Sequence, residues 1–375
     1  MKWVYVPIMF ALAVAYTKFS FNSRLPEASL TGQVYKKTSR APASEAINLN
    51  DDDYKKVPSS VLYKHLKDQS FISAFQKIAE YRGTIVGNPH AESFGFVVDD
   101  RSRALFAIRD FQDAGSGLFL HDVLGHLASA KTFDKKVSWI NYFDAYKRGL
   151  EGHPHIYSYY VEKGLGEAIY ATQRALEENV SNVQPFEFSL LKKNHKKVLG
   201  SKKTHIQEGL KKNFLRIQFF DILEESNEKK YHVLARVRPQ DKIQWLELIE
   251  TSSNDYDQAF SVDMKSLTMD KKIELIKADI FEGKLDHVLG KTSFEKREYI
   301  VKFSDNFSAR LNLKEIPIDD YHDIFLDEAY VLGKIHSRSL GDNTDSYIKA
   351  WAMIPGSVVD EKMIELKYRL KDFQE

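Results

Sequence analysis

The chain has no cysteine. That absence excludes disulfides, thiolate metal sites, thiol nucleophiles and a lipidated N-terminal cysteine in one step, and it leaves the chain indifferent to an oxidising compartment. A charge imbalance is missing too: 54 basic against 53 acidic residues give a formal net charge of +1. No global field therefore draws the chain to nucleic acid or to an anionic surface, and any charged function must be local. The patterns G-x-S-x-G, H-E-x-x-H and the P-loop do not occur, which removes the motif-borne hydrolase and metalloprotease classes. The sequence shows no internal repeat and no low-complexity tract. Its longest apolar run, residues 3–16, has fourteen members, short of the ~20 that span a bilayer as a helix.

Across 375 residues, 43% are hydrophobic and 13% aromatic, ample for a packed core. The opening "MKWVYVPIMFALAVAYTK" carries one early lysine, then the apolar run, then Ala13-Val14-Ala15 in the small-x-small pattern read by signal peptidase. Residues 1–22 are expected to be a signal peptide, with cleavage at residue 15 or slightly later, a periplasmic destination and no stable membrane span after processing. Residues 23–60 are polar and hold three prolines, as a linker does.

The globular part is expected from residue 61. In "VLYKHLKDQSFISAFQKIAEYRG" the apolar residues Leu62, Leu66, Phe71, Phe75, Ile78 and Tyr81 fall near helical spacing, so the pattern predicts a helix ending at Gly83. "FGFVVDD" and "ALFAIRDF", joined by a charged turn, predict a hairpin. Three helical stretches follow within residues 118–180. Residues 192–212 carry eight lysines and one glutamate, the pattern of a solvated helix face. Strand-like stretches within 231–303 enclose a helical insert at "DKKIELIKADIFEG", and the C-terminal part is helical again.

The chemistry sits in "GNPHAESFG" (residues 87–95) and "RDFQDAGSG" (residues 109–117). Phosphoryl transfer asks a protein mainly for positioning: a carboxylate to orient the attacking hydroxyl, an Asn and an Asp for magnesium, a Lys on the phosphates and a glycine cradle. The two segments follow that order. They resemble the signature of a widespread bacterial group, domain-of-unknown-function family 2252, which is distantly similar to aminoglycoside phosphotransferases and other protein-kinase-like folds. Its first motif reads G-D-x-H-x-x-N-F-G, matched at Gly87, His90, Phe94 and Gly95; its second begins N-D-F-D-[DE], matched at Asp110, Phe111 and Asp113. Later, "YIVKFSDNFSARLNL" and "LGKIHSRS" resemble the motifs Y-V-L-R-E-L-x-P-x-x-D-R-L-x-L and L-A-x-A-H-A-R-S. The resemblance covers residues 61–350.

The resemblance implies an α+β fold of circularly permuted, protein-kinase-like type, with a helix-rich lobe (residues 61–215 and 317–375) around a smaller β-containing lobe (216–316). It also implies roles. The catalytic carboxylate's place is taken by Asn88, which cannot accept a proton as a carboxylate does, and the metal-binding Asn is replaced by Ser93. Asp110 and Asp113 keep the acidic positions. The strand's Lys-Glu pair falls on Ile249 and Glu250, with Lys242 as a substitute cation. No glycine occurs between Leu210 and Glu282, so a close backbone cradle for phosphates is missing. The reading is an exported pseudokinase-like protein that binds a protein or small molecule in its inter-lobe cleft through Asp110, Asp113 and His90. No cofactor is certain, and nucleic acid is not expected. The alternative is an ATP- and magnesium-dependent phosphoryl or nucleotidyl transferase, in which Asp110 and Asp113 hold the metal, Lys242 holds phosphate and His90 replaces the lost base; Lys242 or another cation, such as Lys302, pointing at Asp110 would mark it. For His90, Asp110 and Asp122 a purely structural role stands beside the functional one.

Overall fold

Two strand pairs nest at the start of the fold. In the computed structural model the described residues are 63, 66, 68–87, 89–98, 104–109, 111, 113–134, 136–178, 195–214, 217–225, 230–237, 242–251, 268–281, 288–303, 311, 313 and 316–371. All lie in the unit Asp51–Glu375. The expected signal peptide and linker, Asn88 and Asp110 lie outside them. Strand β1 (Arg82–Ile85) pairs antiparallel with β4 (Gly115–Leu118), while β2 (Phe94–Val98) and β3 (Ala104–Ile108) form the expected hairpin between them. Ile85 lies opposite Gly115, and Phe94 opposite Ile108. The loop after β1 and the turn before β4 therefore emerge side by side.

The helix expected up to Gly83 is corrected by the structure. A short helix α1 (Gln69–Ile72) runs into one 3-10 turn (Ser73–Phe75), and Gly83 lies inside β1. Leu66, Phe71, Phe75 and Ile78 are nonetheless buried. Their spacing reported a buried face, and a strand partner 34 residues away in sequence, Gly117 for Gly83, set the local structure.

Helix α2 (Phe119–Phe133) follows β4 directly, with every residue from Phe119 to Ala130 buried, the polar His121, Asp122, His126 and Ser129 among them. Helix α3 (Trp139–Leu150) starts at Ser138, whose side chain accepts the Asn141 N–H, and ends with Lys147 and Arg148 at the negative end of its dipole. Helix α4 (Tyr159–Glu178) completes the expected trio.

Next comes a six-stranded antiparallel sheet in the order β5-β6-β7-β8-β10-β9. Its strands are β5 (His195–Lys197), β6 (Ile217–Glu225), β7 (Lys230–Val237), β8 (Lys242–Glu250), β9 (Val288–Phe294) and β10 (Arg297–Phe303). Helix α5 (Gly200–Asn213), the lysine-rich segment, covers one face. Its Ile206 and Leu210 join Ile222, Val233, Leu246, Leu248, Tyr299 and Val301 in a separate core. β5 and α5 thus belong to the sheet's lobe, although the sequence places the boundary at 216. Between β8 and β9 stands helix α6 (Met269–Leu275), capped by Thr268 and continued by one π-turn (Ile276–Ile280).

The chain returns to the main core through α7 (Tyr321–Leu340), α8 (Thr344–Ala352) and α9 (Gly356–Lys371). Helices α7 and α3 touch backbone to backbone. A Cβ at Gly149 would stand 2.1 Å from the Tyr330 carbonyl oxygen, and one at Gly333 2.1 Å from that of Tyr146. Two facing glycines set this spacing. The main core extends from these helices to Met269, Ile273, Ile276, Val288 and Ile300, so the inner face of the sheet packs on the helical lobe. The chain is α+β.

Candidate functional site

The loop after β1 is built from its backbone outward. Asp122, buried on α2, accepts the Val86 N–H at 2.6 Å and the Gly87 N–H at 3.0 Å. Two turns along the same helix, Ser129 accepts the Ala91 N–H at 3.2 Å. His336 of α7 donates from Nε2 to Asp122 at 3.1 Å, and its Nδ1 lies 2.6 Å from the Tyr146 hydroxyl. The loop is held from below by one carboxylate and one hydroxyl.

Gly87 has φ +97°, and a Cβ there would lie 2.1 Å from the Asp113 carbonyl oxygen. This glycine therefore brings the two chemical segments into contact, and any side chain would part them. Within the loop, the Ser93 hydroxyl accepts the His90 N–H at 3.1 Å, and His90 Nδ1 accepts the Glu92 N–H at 3.3 Å. The Ser93 carbonyl accepts the Arg109 N–H, tying the loop to the end of β3. Of the residues singled out from sequence, His90, Ser93 and Asp113 are brought together here. Ser93 is fully buried, with its hydroxyl engaged in shaping the turn.

Lys242 and Glu250 are not brought together. They stand at opposite ends of β8, so the rise of a strand puts them roughly 26 Å apart. Glu250 shares the parity of Leu246 and Leu248, which face the α5-covered core. Glu250 is ion-paired with Arg297 at 2.9 Å.

The opposite face of the sheet carries a polar row that the sequence alignment did not select. His232, Glu247 and Lys302 lie directly opposite one another across β7, β8 and β10. Lys302 Nζ is 3.1 Å from Glu247 Oε2, and the lysine side chain is only 8% exposed. The same ammonium stands 5.6 Å from the ring centroid of Phe111, the aromatic residue of the D-F turn, which also meets Phe281 edge-on at 5.3 Å. The available signal was parity: in "YIVKF", Tyr299 and Val301 belong to the outer core, so Ile300 and Lys302 must face inward.

A second buried polar group lies deeper. His126 on α2 sits 2.8 Å from the Tyr142 hydroxyl through Nδ1 and 2.8 Å from Glu328 through Nε2. Burial holds His126 down to about 3 and lifts Glu328 well above the usual carboxylate range. His121 is likewise lowered to about 3, by burial first and by Arg82 second. His126 and Glu328 join α2 to α7.

The chain matches no family model, no curated protein and no solved structure.

Proposed function

We propose that this is a kinase-like, two-lobed binding protein, exported by its leader segment, whose inter-lobe seam takes a nucleotide or similar phosphate-bearing ligand at Lys302 without transferring the phosphoryl group. The observation that carries this reading is the buried Lys302–Glu247 pair, 3.1 Å apart, standing over Phe111. In protein kinases a third-strand lysine pairs with a helix glutamate beside the D-F-G turn and holds the phosphates. Here β6 is the first strand of the corresponding set, β8 the third, α6 the helix that follows it and β10 the neighbour of β8. The pair is carried by the third and fifth strands, with the cation on the fifth.

The nested pairs β1·β4 and β2·β3 support the same reading, because they present the loop and the D-F turn together. Loss of transfer follows from the loop itself. Asn88 supplies no carboxylate, and Ser93 is buried with its hydroxyl engaged. A family likeness to domain-of-unknown-function family 2252 is part of the proposal and rests on the motifs alone.

A second reading, phosphoryl or nucleotidyl transfer, is favoured by the same Lys302–Glu247 pair, since a cation of this kind is what transfer to an acceptor needs beside Asp110 and Asp113. The residues present fit magnesium in part: Asp113 is half-buried beside Gly87, and the engaged Ser93 adds no ligand. Titration of the full chain with ATP, with and without magnesium, followed by an assay for released phosphate, separates the two. Binding without turnover supports the binding protein. Turnover that is lost in Asp110→Ala establishes the transferase, and magnesium-independent binding unaffected by Asp110→Ala removes any metal role.

A further inference from the structure

A pocket of about 120 Å³ lies behind the D-F turn, between β3, α4, the end of the π-turn and α7. Three aromatic rings wall it: Phe106 of β3, Tyr157 just before α4, and Phe281 just after the π-turn. Phe106 and Tyr157 meet edge-on at 6.0 Å, and Phe281 meets Phe111 edge-on at 5.3 Å. Each wall ring is thus held in place by a second ring. The hollow has a cause in the sequence: Ala104 and Ala107 of β3 also line it, and alanine is a small residue that strands ordinarily use little.

The charges at the rim are already engaged. Lys334 and Arg338 stand one turn apart on α7 and both have further partners. Arg338 Nη1 donates to the carbonyls of Asp279 and Ile280, and the Asp279 carboxylate acts on the same guanidinium. An anion entering the pocket would compete with interactions already made. A cation would meet two positive charges, and no carboxylate is among the lining residues. Burial, and then Tyr330 and Asp327, raise the Tyr157 phenol, so this wall is uncharged as well. Desolvating a charged group against such a lining is costly, whereas an uncharged body gains by leaving water.

We propose that this pocket binds a single uncharged aromatic ring of about the size of phenol, clasped by Phe106, Tyr157 and Phe281 and closed by Leu105 and Val331. The volume sets the size, because an apolar cavity of ~150 Å³ accommodates benzene. The walls set the shape. Phe106 and Tyr157 are inclined at 77° to each other, so a flat ring lying along one presents its edge to the other, and aromatic pairs favour both contacts. None of the lining residues belongs to the Lys302 row, so the site stands or falls apart from nucleotide in the seam.

The test uses the full chain and three probes built on one ring: phenol, benzoate and benzylammonium, which are neutral, negative and positive at pH 7. Calorimetry and thermal unfolding are expected to show phenol binding at least about tenfold more tightly than either charged probe and raising the melting temperature. Ala104→Leu and Leu105→Trp, both at half-buried positions of β3, place bulk in the pocket. Each is expected to weaken phenol binding at least about tenfold. Should one of them fail to fold, the other decides, and the comparison of probes is read on the unaltered chain in any case. No phenol binding at ~10 mM, a charged probe binding as tightly as phenol, or phenol affinity unchanged in either folded variant overturns the proposal.

Discussion

The helical lobe and the sheet bury charge in different ways. In the helical lobe the carboxylates serve as clamps on the chain. Asp122 takes two backbone N–H groups and His336, and Asp327 takes the Ser158 N–H at 2.9 Å and His155 at 2.6 Å. Each fixes a loop whose N–H donors would otherwise be stranded. The sheet's inner face holds a side-chain pair, Lys302 with Glu247, whose ammonium stands over the Phe111 ring. A buried pair of that kind adds little stability for its desolvation cost, so its presence calls for another use. Backbone clamping accounts for the first set of charges; for the second we propose a ligand-binding role.

The sharpest way to break this contrast is Asp122→Ala. Removing the acceptor leaves two N–H groups and a histidine unsatisfied in the core, and the expected loss is about 3–5 kcal/mol in urea unfolding. A loss below about 1 kcal/mol would mean that the loop is held some other way. Next in size is Gly149→Ala on α3, where the new methyl meets the Tyr330 carbonyl. Overpacking of about 1–3 kcal/mol outweighs a helix-propensity gain of at most ~1 kcal/mol. An equal or higher melting temperature would contradict the close contact of α3 with α7.

The pH dependence sharpens the account of the helical lobe. His121 is lowered from 6.5 to about 3 in the folded chain, so between those values the unfolded state binds the extra proton. Its contribution is therefore full above pH 6.5 and falls by about 1.4 kcal/mol per pH unit on acidification. His126 acts in the same direction, while Glu328, raised above 4.5, acts oppositely by losing stability as pH rises. Replacing His121 by Phe isolates one term: the stability–pH curve of the variant is expected to be flatter by one proton below pH 6.5. Parallel curves would show that His121 is not held neutral. The smallest stability effect belongs to the sheet, where the double replacement Lys302→Met with Glu247→Leu is expected to change unfolding by no more than ~1 kcal/mol. A large loss would make the pair a structural clamp like Asp122.

Much of this fold was legible in the chain, for identifiable reasons. The hairpin β2–β3 and helices α2, α3 and α4 carry their own periodicity, and β7, β8 and β10 carry β-branched and aromatic alternation. Strands β1 and β4, "RGTI" and "GSGL", have no such pattern, and each exists because the other lies beside it. The loop with His90, Ser93 and Asp113 was found from its motif because its residues are near in sequence. Lys302 and Glu247 were harder to find, since 55 residues and a helix separate two side chains that the register places opposite each other. The motif resemblance selected Lys242 and Glu250, and Glu250 is on the opposite face; the alternation of Leu246 and Leu248 was the physical signal that separates the faces.

The most direct test of the central claim is calorimetric titration of ATP into the full chain and into the double variant Lys302→Met with Glu247→Leu, which leaves no buried charge stranded. Binding to the unaltered chain in the micromolar to millimolar range, weakened at least about tenfold by the double substitution with little change in stability, is the predicted result. Equal affinity in the two proteins, or no binding to the unaltered chain at millimolar ATP, would contradict it.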